Sequence, residues 1–148
     1  MASAAPSSTT LASVTTALPE PQPEDPGARL FLFAVRQIGA HGLNDACTAQ
    51  AFLTAFGRGF RRPLLLTRAL MAEMSSTASG PIRIAPWCCG RITGAEATLL
   101  NALARAIHNP ASAGLLLADL LGVRRADNVL SIAQAVAQSF ADEGLPFE

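Results

Sequence analysis

From residue 28 onward, apolar side chains recur at the three-to-four-residue spacing of amphipathic helices, and capping or turn-forming residues interrupt that rhythm at short intervals. Asp25 followed by Pro26 reads as an N-cap and a proline at the first helical position, so a first helix is expected from there to about Ala40. Leu30, Phe31, Leu32, Phe33, Ala34, Val35 and Ile38 cover most of its circumference, which predicts a central position. Gly39 and Gly42 bracket its end. Asn44 or Asp45 caps a second helix with a stripe of Ala49, Phe52, Leu53, Phe56 and Phe60, frayed by Gly57 and Gly59. Pro63 opens a third, with Leu66, Ala69, Leu70 and Met74 on one face and Leu65 and Met71 widening it; a Ser/Thr-rich stretch ending at Gly80 terminates it.

Thr93 and Glu96 form a capping box for a fourth helix carrying Leu99, Leu100, Leu103 and Ile107. Asn109-Pro110 starts a fifth helix, with Leu116, Leu117, Leu120 and Leu121, that stops at Gly122. The last helix has the cleanest period, Val129, Ile132, Ala133, Val136 and Phe140, with Gly144 just past its end. Strand formers never gather into an alternating run. The expected fold is all-α: a compact bundle of five to six helices over residues 27–148.

Residues 1–26 break the pattern. Ser, Thr and Ala give way to Pro19-Glu20-Pro21-Gln22-Pro23-Glu24-Asp25-Pro26, a stiff extended stretch, so a disordered Ser/Thr/Pro-rich arm is expected there. No continuous apolar stretch suggests a secretory signal or a membrane span, and a cytoplasmic protein is expected.

Composition refines this picture only slightly. The 148 residues carry a formal net charge of zero, and all eleven basic residues are arginines. Three of the eleven acids lie before residue 29, which leaves eleven arginines against eight acids in the remainder, too weak a bias to imply nucleic acid. Three cysteines, two of them adjacent, do not suit a disulfide framework and fit a reducing compartment.

Candidate chemistry concentrates in the break between the third and fourth helices, Gly80-Pro81-Ile82-Arg83-Ile84-Ala85-Pro86-Trp87-Cys88-Cys89-Gly90-Arg91, which holds the sole Trp. Trp87 is expected to be mostly buried as the anchor of this loop, with Cys88 and Cys89 pointing in different directions. A thiol beside Arg83 or Arg91 would gain thiolate character, a redox-sensitive reading. Cys88 and Cys89 also offer two ligands of a metal site, with Cys47, His41 or His108 supplying others. However, the paired C-x₂₋₄-C spacing of zinc sites is absent.

A second candidate surface is Arg58, Arg61, Arg62 and Arg68, a basic cluster suited to phosphates or an acidic protein face. Third comes a degenerate helix-turn-helix around Gly122, with Ala118 four residues earlier and Arg124-Arg125 following; its register slips because Asn128 stands where a core residue belongs. No nucleophile elbow, phosphate-binding loop or lysine is present, and no catalytic residue or cofactor is expected.

Several phrases, His41-Gly42-Leu43-Asn44-Asp45-Ala46, Arg61-Arg62-Pro63-Leu64, the segment from Ala85 through Arg91, and Ala133-Gln134-Ala135-Val136-Ala137-Gln138, resemble a family of small uncharacterised alphaproteobacterial proteins. The resemblance covers about residues 28–148 and leaves the arm outside. It implies a bacterial cytoplasmic source and carries no activity, cofactor or partner. The expected function is therefore a non-enzymatic interaction or regulatory module acting through Trp87, Cys88, Cys89 and Arg91 or through the four-arginine cluster. Self-association through surplus apolar helix surface is part of that expectation. A thiol-based redox or metal-responsive role is the alternative and DNA binding the third reading.

Overall fold

In the computed structural model, residues 20–148 are described. The chain order is β1 (Glu20–Pro21), α1 (Pro26–His41), α2 (Ala46–Phe56), a 3₁₀ turn (Gly57–Gly59), α3 (Arg61–Thr77), β2 (Arg91–Ile92), α4 (Gly94–Arg105), α5 (Pro110–Leu121) and α6 (Asp127–Asp142). Among the described residues the fold is all-α with six α-helices, as the periodicity predicts. The closest helix pairs are α3 with α6 and α4 with α5, while α2 bridges α1 and α3.

The termini of the helices follow from their caps. Asp25 accepts the Ala28 amide at 3.1 Å, and Asp45 accepts the Thr48 amide at 2.8 Å. The Thr93–Glu96 capping box closes reciprocally, each side chain accepting the other's backbone amide. Gly122 and Gly144 take φ of 68° and 87°, the left-handed region in which a Cβ is strained. Each completes a Schellman end: the amides of Val123 and Leu145 reach back to the carbonyls of Ala118 and Phe140. α3 begins at Arg61, two residues before the expected start, because a proline fits anywhere in the first turn, where its missing N–H has no helical partner.

The core forms where α6 meets α1, α2 and α3. Phe140 is fully buried, with ring centroids of Phe56, Phe52, Phe31 and Phe147 at 5.2, 5.8, 6.2 and 4.9 Å. Val129, Ala133 and Val136 are buried as the stripe predicts, and Ile132 is half-buried. Leu53 and Ile107, expected inside, are exposed; Leu53 lies on the flank of its stripe, and Ile107 lies beyond the last turn of α4.

The arm needs a correction at its inner end. Of the expected disordered stretch over residues 1–26, residues 1–19 lie outside the described residues. The rest belongs to the fold: β1 pairs antiparallel with β2, Glu20 opposite Ile92 and Pro21 opposite Arg91, and Gln22 and Asp25 make side-chain bonds. Proline-rich extended backbone suits a short edge pairing that needs few amides.

Candidate functional site

Prolines 81 and 86 and glycines 80 and 90 keep residues 80–90 out of helix. A non-helical segment must find partners for its backbone groups elsewhere, and one side chain supplies several. Arg36 of α1 is only 3% exposed and Glu96 of α4 only 2%, and they are the only buried charged side chains among the described residues. The Arg36 guanidinium donates from Nε to Glu96 Oε2 at 2.8 Å and from Nη2 to Oε1 at 3.1 Å. Its remaining donors reach the Cys89 carbonyl at 2.8 Å and the Arg91 carbonyl at 2.7 Å.

Glu96 is equally occupied. Besides the guanidinium it accepts the Thr93 amide at 2.8 Å and the Ala85 amide at 3.4 Å. Thr93 Oγ1 donates to the Arg83 carbonyl at 2.8 Å, and Gln22 Nε2 donates to the Cys89 carbonyl at 2.7 Å. A planar, always-charged fork between two elements of the bundle thus holds the break by its backbone. Both charges are paired and bonded, the condition for tolerating them in a dry interior.

Within the clamp the loop makes one tight turn. The Cys89 amide donates to the Pro86 carbonyl at 3.0 Å, so Trp87 and Cys88 are the two central residues of a β-turn and point outward. Trp87 is 64% exposed, which corrects the expectation of a buried anchor. The physical reason is that the loop is held by its backbone, with Arg36 donating to the Cys89 and Arg91 carbonyls, so no side chain at the turn's apex is needed to pin it. Trp87 instead lines a shallow cleft of about 190 Å³ with Gln22, Arg29, Leu32, Phe33 and Arg36. Cys88 is exposed and Cys89 half-buried, while Cys47 is exposed on α2. Among the described residues, no three His, Cys, Asp or Glu side chains come together at metal-binding distance.

The four-arginine cluster is split. Arg61 and Arg68, seven residues apart on α3, share a face, while Arg62 on another face pairs with Asp142 of α6 at 2.9 Å. That pair lies at the surface. Bonds from Gln138 and then Arg62 hold the Asp142 carboxyl below the ordinary aspartate range. Arg68 is half-buried and its Nε has no hydrogen-bond partner; Arg58 sits in the 3₁₀ turn, exposed. At the α5–α6 turn, Arg125 pairs with its neighbour Asp127 at 2.9 Å, and Asn128 is exposed with Val129 buried in its place.

The Arg36–Glu96 pair was not anticipated from the sequence, though a signal existed. Arg36 is the one charge in the apolar run 30–38 of a helix whose apolar residues surround it, and such a charge needs a buried partner. A cavity of about 440 Å³, for which the sequence carries no local signal, lies between α1, α3, α4 and the first half of the break, with Met71, Met74 and Leu99 in its wall.

No curated protein and no solved structure matches this chain. The profile of a family of unknown function, DUF6628, matches residues 7–140, reaching into the stretch expected to lie outside any family resemblance. With most of its length matched, the chain belongs to the DUF6628 family.

Proposed function

We propose that the protein is a non-enzymatic interaction module that presents the Trp87 turn to a protein partner. The observation that carries this reading is the exposed Trp87 at the apex of a turn fixed from beneath by Arg36. An indole in water forgoes burial of one of the largest apolar side chains, and tryptophan is among the residues most enriched at interface hot spots. Holding the loop in place beforehand removes much of the ordering cost that a mobile loop would incur on binding. The flanking cleft offers Phe33 for apolar contact and Arg29 as a charged donor at its edge.

The test uses the full chain. Partners captured from the source cells are titrated against the protein while the anisotropy and emission of Trp87, the sole indole, are recorded. Trp87→Ala should abolish capture and leave the unfolding transition in place, whereas Leu115→Ala, an exposed leucine on α5, should keep capture. Retention of the partner by Trp87→Ala refutes the reading.

A thiol-based role draws on the same turn, since Cys88 is exposed beside Trp87. Equal partner binding by Cys88→Ser and the parent chain, under both reducing and oxidising conditions, removes it.

A further inference from the structure

The 440 Å³ cavity is open to solvent on one side. Val35, Met74 and Leu99, all buried, line it together with the half-buried Met71, Ile82 and Ile84. Arg83, between the two isoleucines, is exposed and lies outside the wall, the alternation of an extended chain.

Hydrogen bonds at both ends hold this stretch of the break off the helices. The Ser79 amide donates to the Leu121 carbonyl at 2.9 Å. At the other end the Arg83 carbonyl accepts Thr93 Oγ1 at 2.8 Å, and the Ala85 amide donates to Glu96 at 3.4 Å. Fixed in this way, the chain spans the space instead of settling into it. Protein interiors leave few voids larger than a water molecule, and the side chains around one forgo dispersion contacts that an occupant of matching shape restores.

We infer that the cavity is a binding site for a neutral, largely apolar small molecule of two- or three-ring bulk. Its volume sets the size: about 440 Å³ is some three times the roughly 150 Å³ that holds one benzene. Its wall sets the charge. Glu96 is the one charged side chain there among the described residues, and its carboxylate is engaged by Arg36, Thr93 and Ala85, so an ionic group would enter without a counter-ion. Ser75 and Ser79, both exposed in the wall, supply hydroxyls for one hydrogen-bonding group at the open side. The two methionines adapt their unbranched side chains to the shape that enters. The site is separate from the Trp87 turn in residues and in face, and neither reading rests on the other.

Two dyes test it on the full chain: N-phenyl-1-naphthylamine, which is neutral, and 8-anilinonaphthalene-1-sulfonate, the same ring system with a sulfonate. That sulfonate stands beside the anilino group, so the rings cannot enter without it. The neutral dye should bind saturably, one molecule per chain, and should move the methyl resonances of Met71 and Met74. The sulfonate should bind at least about tenfold more weakly, because its charge must leave water. Ala95→Phe and Gly39→Leu fill the space from opposite walls, so a fold lost in one leaves the other, and each should weaken the neutral dye at least about tenfold. Trp87→Ala should leave its binding unchanged.

Four results would each overturn the proposal. Absence of saturable binding of the neutral dye, or unmoved Met71 and Met74 methyls at saturation, would mean that the cavity does not take such a molecule. Equal affinity for the sulfonate would remove the selection for a neutral ligand. Parent-like binding by a folded Ala95→Phe or Gly39→Leu would place the dye elsewhere. Loss of binding in Trp87→Ala would assign it to the cleft beside the turn.

Discussion

Glu96→Gln is the sharpest perturbation of the clamp, because it keeps the shape of the side chain and removes its charge. The buried guanidinium of Arg36 then loses its counter-ion while remaining 3% exposed. Stranding one member of a buried pair costs about 3–5 kcal/mol. One of the two guanidinium bonds to Glu96, at 2.8 and 3.1 Å, would also face an amide N–H₂. That unsatisfied donor accounts for about 1–3 kcal/mol of the same total. A domain of this size has about 5–15 kcal/mol of stability in all, so the variant should lose about a fifth of it or more. Urea unfolding followed by helical circular dichroism measures that loss. The anisotropy of Trp87 measures the loop separately, and its transition should move to lower urea than the helical one. Arg36→Met combined with Glu96→Met should cost much less than the two single changes together, since no charge is stranded. A Glu96→Gln loss below about 1 kcal/mol, with coincident transitions for the two probes, would refute the view that this pair holds the break.

Phe140→Ala should cost about 3–5 kcal/mol, towards the upper end because four ring contacts go with it, read as a lower urea midpoint at unchanged slope. Gly27→Ala should destabilise by about 1–3 kcal/mol, since its Cβ would stand 2.5 Å from the Leu145 carbonyl oxygen. Gly39→Ala, whose Cβ meets only Ile84 Cδ1 at 3.4 Å, should change the melting midpoint little or raise it. Asp142 should titrate below an ordinary aspartate by NMR, and Gln138→Ala should return it towards the usual value. Because its folded pKa is depressed, its contribution is present above the ordinary aspartate pKa and fades as pH falls through the depressed one.

Helix ends were legible because each is written locally. Asp25-Pro26, Asp45, Thr93 with Glu96, Asn109-Pro110, Gly122 and Gly144 all act within four residues of themselves, and each caps or stops a helix in the structure. Periodicity placed Val129, Val136 and Phe140 in the core for the same reason. Contacts across the fold were not legible. Arg36 and Glu96 are 60 residues apart, and Glu96 already had a complete local explanation as the third residue of a capping box. Its second carboxylate oxygen was the unassigned part. The β1–β2 pairing was hidden too, because a proline-rich stretch with no alternation carries no strand signal, and two residues of pairing need none.

The misplacement of Trp87 bears on function. A lone tryptophan in a break between helices is reasonably taken as the residue that pins the loop, and pinning would fully account for it. In the structure the pins are carbonyls: Cys89 receives Arg36 and Gln22, Arg91 receives Arg36, and Arg83 receives Thr93. Those bonds are made by backbone atoms and are indifferent to the side chains at the turn's apex. Folding therefore places little demand on residues 87 and 88, and replacing Trp87 with serine should leave the urea midpoint within the ±0.5 kcal/mol usual for surface changes. A loss of more than about 2 kcal/mol would show the indole supporting the bundle after all. If stability is indifferent to it, the reason for an indole at that apex has to lie in what it touches outside the chain.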